Sequence, residues 1–438
     1  VRMAFCQGRA SVVRRQNAGF AAFPAARRRS ATTGRPGDIL GVRPGCPWAC
    51  QCPPAIVLGR RERWRAVLLR GRGILPGGEL AEAEVELWGA SIAYAGTPRA
   101  GSGRAREHDG WIVPGFIDLH LHGAGGGDTM DATPRALGAM AGWAARGGTT
   151  GFLATTMSAS AREITRATDN AASYRGRDGA RLLGIHLEGP YINPEYAGAH
   201  APDAVTTDLA GARRLVAGIG PLLRRVTLAP ELVGATALVR WLRCRGVVVS
   251  LGHTASTYAQ LATAWEAGAS MVTHTFNAMR AFHHREPGAV GGALEIPGLD
   301  CEVILDGHHV HAAAFRLLWR ARPGQVFFAT DAMRAAGMPE GKYRFGAGEV
   351  TVAGGRVTRP NGGLSGSVVS MAASVRNAVQ GGLPLVEAVH AASERPARAA
   401  GLVGRGSLAA GQVADVVLLR PDLTVAATIV EGELVFQG

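Results

Sequence analysis

Lysine is all but missing from this chain: Lys342 is the only one in 438 residues. Arginine, alanine and glycine stand in its place, as high-GC coding produces. The scarcity excludes a carboxylated lysine as a bridging metal ligand anywhere but position 342. Long apolar stretches are missing as well. Although 47% of the residues are hydrophobic, no run approaches the roughly 18–20 residues of a membrane span, so a soluble globular protein with no membrane partner is expected. Cysteine is sparse, six residues with no even framework (Cys6, Cys46, Cys50, Cys52, Cys244, Cys301), which suits a reducing cytoplasm. Cys46, Cys50 and Cys52 cluster, but a structural zinc site takes about four ligands, and unpaired thiols are the simpler reading. Acidic residues are scarce only at the start. Of the net charge of +13, residues 1–58 hold nine arginines against Asp38 alone. Elsewhere arginines alternate with acids, with no basic stripe interleaved with aromatics, so no nucleic-acid partner is expected.

Residues 1–60 are rich in Arg, Pro, Gly and Ala and lack the apolar periods of strand or helix. No 7–15-residue apolar stretch follows the early arginines, which argues against a secretory signal, and the likeness to a transit peptide is loose. The segment reads as a disordered extension, or as sequence upstream of the true start. Val1 fits an alternative start codon, and Met3 is the only methionine before Met130; the mass of the purified native protein tests this. From Trp64 onward short β-like runs appear, with turns such as Pro76-Gly77-Gly78. Similar runs return after Ala414. Residues 61–112 and 401–438 are therefore expected to form one small β-sandwich from both chain ends, flanking a central domain at 113–400.

That central domain shows eight apolar runs, each followed by room for one helix. They start at 111–118 and continue at 149–156, 181–188, 226–231, 247–254, 271–278, 301–309 and 325–332. Continuous apolar runs suit strands buried on both faces. Most end in polar residues: Asp118 to His122, Thr155-Thr156, His186 to Glu188, Glu231, His253-Thr254, His274, Asp306 to His309, and Asp331. This succession predicts an α/β fold, a TIM-like (β/α)8 metal-dependent hydrolase barrel whose active site gathers at the strand C-termini. Residues 338–363 interrupt the pattern with Gly-rich strand-like pieces, expected as an insertion after strand eight. The run Gly123 to Gly127 is expected as a mobile loop beside the site.

The chemistry follows from what such a mouth collects. His120 and His122, two residues apart, lie on the same side of an extended chain and can reach one ion. Glu188 precedes Gly189-Pro190 and can ligate one metal or bridge two. With Lys342 the sole lysine and lying beyond strand eight, Glu188 is the candidate bridging acid. His253 and His274 end consecutive strands; either alone reads as a core histidine, but together they converge on one mouth. Asp331 ends strand eight, where a carboxylate can take a proton from water beside a metal and return it to a leaving group.

These residues carry a resemblance. Pro114 to Gly123, His186-Leu187-Glu188-Gly189-Pro190, Gly252-His253-Thr254, Thr273 to Met279, Arg285-Glu286-Pro287-Gly288, Asp306-Gly307-His308-His309, Thr330-Asp331-Ala332 and Leu364-Ser365-Gly366-Ser367 resemble the N-acetylglucosamine-6-phosphate deacetylase family of the amidohydrolase superfamily. The match runs over roughly 65–438. It implies hydrolysis of an acetamide on an amino-sugar phosphate, in amino-sugar catabolism and cell-wall recycling. It further implies one or two divalent ions per subunit, zinc first, with iron or another ion as alternatives. Glu188, His253 and His274 match the catalytic metal's ligands. His120 and His122 match positions that hold a second metal in some members. Asp331 matches the general acid/base, and His200 a histidine that polarises the acetamide carbonyl. Asn277 and Ala278 match phosphate contacts, and His309 a substrate-binding histidine. Arg285, which alone reads as a solvated arginine, matches one that reaches the neighbouring subunit's phosphate, implying a homodimer. The same chemistry on the galactosamine epimer stays open, as does another amidohydrolase acting on a C–N bond. A sugar-phosphate-binding relic without metals is disfavoured by the filled ligand positions. His283, His284, His308 and His311 receive no role.

Overall fold

The computed structural model describes residues 67–206 and 208–438. The expectations for residues 1–60, including Cys6, Cys46, Cys50, Cys52 and the position of the start, lie outside the described residues. Four strands come first: β1 (Val67–Ile74), β2 (Leu80–Trp88), β3 (Ser91–Gly96) and β4 (Arg106–Pro114). The β1–β2 turn carries Gly77 and Gly78 at φ of 102° and 87°, a left-handed pair that favours glycine. Next come the first barrel strand β5 (Phe116–Leu121), and a miniature hairpin of β6 (Gly123–Ala124) and β7 (Gly127–Asp128). The glycine run expected as a loop is thus a tight ribbon. Gly125 and Gly126 turn it at φ of 60° and 83°, and Gly123 donates to the Ala332 carbonyl.

Seven more strands complete the barrel: β8 (Thr149–Thr156), β9 (Arg181–Glu188), β10 (Leu223–Leu228), β11 (Val248–Leu251), β12 (Met271–Val272), β13 (Asp300–Val303) and β14 (Val326–Phe328). With β5 they form an eight-stranded sheet in chain order, every neighbouring pair parallel. The last gap closes just past β14, where the Asp331 amide donates to the His120 carbonyl at 2.9 Å and the His122 amide to Ala332 at 3.0 Å. The barrel therefore shuts at its C-terminal end, where the polar residues collect.

Several strands are shorter than the apolar runs suggested. Just past the ends of β11, β12 and β14, His253, His274 and Asp331 sit at φ of 48°, 28° and 47°. A non-glycine residue held there is strained, and it turns each side chain out of the sheet into the mouth. The fourth run also begins earlier than expected, at Leu223 rather than Val226.

After β14 the insertion folds as a three-stranded antiparallel sheet, β15 (Gly341–Phe345), β16 (Gly348–Ala353) and β17 (Arg356–Thr358). The chain finishes with β18 (Val416–Leu419), β19 (Val425–Val430) and β20 (Glu433–Gln437). These join the first four strands in one seven-stranded sheet ordered β20-β19-β18-β4-β1-β2-β3, antiparallel except for β1 with β4. A bridge between Ser91 and Val413 brings the β3 edge back towards the segment before β18. The sheet thus encloses its own core, including Leu69, Val85, Ile92, Ile112, Val416 and Ile429. Gly115 links it to the barrel. A Cβ there would press into the Thr150 side chain, well inside contact distance, so only glycine allows the two sheets to approach so closely.

Candidate metal centre

Glu188 ends β9 with its carboxylate almost wholly buried, and five imidazoles surround it. One oxygen, Oε2, lies 3.2 Å from His120 Nε2, 3.0 Å from His122 Nε2 and 3.3 Å from His200 Nε2. The other, Oε1, lies 3.2 Å from His253 Nε2 and 3.4 Å from His274 Nε2. Asp331 Oδ1 approaches His120 and His122 at 3.4 and 3.3 Å. One carboxylate thus faces two histidine pairs with one oxygen each.

Hydrogen bonds on the far side of each ring fix which nitrogen carries a proton. His120 donates Nδ1–H to Glu302 Oε1 at 2.8 Å. His253 donates Nδ1–H to the Tyr196 carbonyl at 2.7 Å, and His274 to the Asn277 carbonyl at 3.1 Å. All three leave the Nε2 lone pair pointing inward. Within each pair the Nε2 atoms lie 3.1 Å apart (His120 with His122) and 3.0 Å apart (His253 with His274). Lone pairs this close repel unless a cation or a proton lies between them. Four imidazoles and two carboxylates of this kind fit one or two divalent ions of the zinc or iron class.

His200 is wired the opposite way. Its Nδ1 accepts the Ser158 backbone N–H at 2.9 Å, so the neutral ring carries its proton on Nε2, facing the site. By distance alone it completes a cluster with Glu188 and His253, but a protonated Nε2 is a hydrogen-bond donor, not a ligand. Burial drives its pKa down to about 4, with the Glu188 contact opposing, so the ring stays neutral at ordinary pH.

The charges follow from the same contacts. Burial opposes a charge on His122, yet hydrogen bonds to Asp331 and Glu188 raise its pKa to about 9. Burial likewise opposes ionisation of Glu188 and Asp331, but the charge of His120 together with hydrogen bonds from the neighbouring histidines outweighs it, and both carboxyls sit below their ordinary value. An ion bound here would displace any proton held between these rings.

A cavity of about 320 Å³ opens over these groups, lined among others by His122, Glu188, His200, Asn277, Ala278, His309 and Asp331. His309 donates Nδ1–H to Asp306 at 2.6 Å, leaving Nε2 as an acceptor. Asn277 and Ala278 lie in a contorted turn, with Phe276 and Ala278 at φ of 81° and 50°. The structure therefore gathers every expected site residue except Arg285, which is exposed and outside the cavity's lining.

Sequence reasoning missed Glu302 and Arg225, both fully buried inside the barrel, and Phe345, whose ring meets that of His122 at 5.4 Å. A charged residue in the middle of the apolar β13 run was the available signal for Glu302. Arg225 follows Arg224 and looks like surface. Glu231, one of the polar strand ends, is occupied structurally: it accepts from Asn193, Thr254 and the Ala255 amide.

Comparison with known proteins agrees with this geometry. The amidohydrolase family model matches residues 111–435. The chain belongs to the amidohydrolase family. Among its relatives is an N-acetylgalactosamine-6-phosphate deacetylase of Escherichia coli O157:H7, 42% identical over 74% of this chain and 87% of that protein. Another is the N-acetylglucosamine-6-phosphate deacetylase of Vibrio furnissii, 39% identical over 75% and 83%. Among solved structures, a mutant N-acetyl-D-glucosamine-6-phosphate deacetylase of Mycobacterium smegmatis in complex with N-acetyl-D-glucosamine-6-phosphate superposes with a TM-score of 0.79. It is 35% identical, with 85% of this chain and 100% of that chain covered.

Proposed function

We propose that this protein hydrolyses N-acetyl-D-glucosamine 6-phosphate to D-glucosamine 6-phosphate and acetate. The observation that carries the reading is the opposed wiring of the histidines around Glu188: His120, His253 and His274 arranged to face cations, and His200 offering an N–H. Amide hydrolysis needs that combination. Glu188, His253 and His274 would hold one divalent ion, and His120 with His122 a second. When bound, such an ion supplies Lewis acidity and a nucleophile at neutral pH. His200 Nε2–H meets the acetamide oxygen as negative charge develops on it. Asp331 takes the proton of the attacking water and delivers it to the departing amine. His309 accepts from a sugar hydroxyl, and Asn277 with Ala278 meets the phosphate. Arg285, exposed and outside the lining of its own cavity, reaches the phosphate of a second subunit in a homodimer; a guanidinium fork suits that group. Zinc is the first candidate ion, and the cytoplasm the expected compartment.

The galactosamine epimer remains the second reading, favoured by the 42% identical relative named for it. Acetate and free amine release should be measured on both phosphorylated epimers and on unphosphorylated N-acetylglucosamine. Turnover that needs phosphate and metal, and prefers the gluco epimer, supports the proposal. A preference for the galacto epimer shifts it to the second reading, and no turnover of either by metal-loaded protein sinks it.

A further inference from the structure

We infer that Glu302 is a positioning residue that builds the His120–His122 metal position and ties it to the His253–His274 position. The inference rests on the metal-hydrolase reading above, but not on the identity of the sugar. Of the four imidazoles paired around Glu188, only His120 is backed by a carboxylate; His253 and His274 lean on backbone carbonyls. A carboxylate behind an imidazole fixes its tautomer and strengthens it as a donor to metal. The same oxygen, Oε1, also accepts the backbone N–H of His274 at 3.1 Å. One atom of Glu302 therefore touches a ligand of each pair.

The second oxygen is held by Arg225 Nη1. Arg225 in turn donates from Nη2 to Ser250 Oγ and Thr273 Oγ1, each at 3.0 Å. Neither residue of the pair is solvent-accessible. A buried ion pair stabilises little once desolvation is counted, and apolar residues of similar volume serve stability as well or better. Its placement on β10 and β13, beneath a ligand from β5, makes sense as positioning. Arg225 holds Glu302 in one rotamer, and Glu302 aims His120.

The test is metal retention, measured without substrate. Purified wild type, Glu302→Gln and the double variant Glu302→Gln/Arg225→Met are dialysed against graded zinc buffers and their bound zinc counted. The double variant removes the guanidinium that Glu302→Gln alone would leave without its charge partner, so a folded chain is obtained even where the single variant fails. His120→Asn gives the reference for loss of that position alone. We expect two equivalents in wild type. In the Glu302 variants one equivalent should bind at least tenfold more weakly, the size typical of such partners, while the other keeps the affinity left in His120→Asn. Chelated double variant should melt no lower than chelated wild type. Two equivalents at wild-type affinity in either variant would overturn the inference. So would parallel loss of both ions with a lowered melting temperature, which marks a merely structural role, or a wild type that retains only one. A wild type that holds two ions but hydrolyses neither sugar phosphate would sink the substrate reading and leave this one standing.

Discussion

Around Glu188 the side chains are all of one type, and what separates donor from ligand is the position of a single proton on each ring. That position is set outside the site: by Glu302, Tyr196 and Asn277 for three ligands, and by the Ser158 amide for His200. The two roles predict different losses. His200→Asn should lower kcat by about 10²–10³-fold, the usual effect of removing one oxyanion donor, while bound metal stays at the wild-type level. His253→Asn should lower the metal content itself. Elemental analysis beside steady-state kinetics separates them, and a His200 variant that sheds metal would make His200 a ligand. Asp331→Asn should cost about 10²–10⁴-fold in kcat, again with metal retained through Glu188. The ligands were legible in the sequence because each stands at the end of an apolar run. The ring wiring was not, because Ser158 and Tyr196 act through backbone atoms that any residue supplies.

At the scale of the elements, the eight-unit barrel was readable from the succession of runs, but the strand ends were not. Apolar continuity past Val272 or Phe328 says that the chain stays buried, not that it stays in the ladder. The left-handed turns at His253, His274 and Asp331 are paid for by tertiary contacts that no local pattern records. Arg225 and Glu302 escaped for a related reason: charged residues inside a barrel violate the apolar pattern of their strands, and only their meeting across β10 and β13 explains both. That meeting predicts strong non-additivity. Arg225→Met alone strands a buried carboxylate and should destabilise the chelated protein by about 3–5 kcal/mol. Adding Glu302→Gln should restore that loss in urea unfolding. Additive penalties would mean that the two charges do not interact.

The whole molecule is held together across distant parts of the chain. Glu431, in the turn between β19 and β20, accepts from Arg181 on β9 and from Arg405, each at 2.9 Å. Burial opposes its ionisation, but the Arg181 hydrogen bond and charge overcome this and lower its pKa below the ordinary 4.5. A depressed carboxyl stabilises the fold fully above pH 4.5, and that contribution is lost as pH falls through the folded value. Glu431→Gln should therefore cost on the order of 1 kcal/mol at pH 7. The difference in melting temperature from wild type should shrink below pH 4.5, and a gap independent of pH would exclude the ion pair as its source. At the same scale lies Arg285, exposed beside Phe282, itself 56% exposed. The proposed dimer makes it serve the second subunit, and mixing tests that. Arg285→Ala and Asp331→Asn proteins should each be nearly inactive at low substrate. Unfolded together and refolded, they form mixed dimers in which the Arg285→Ala subunit keeps its Asp331 and receives Arg285 from the other. Random pairing in a two-fold dimer completes about one pocket in four, so activity should return to about a quarter of wild type. If Arg285 serves its own subunit, no mixed dimer contains a complete pocket, and the mixture stays as inactive as its parts.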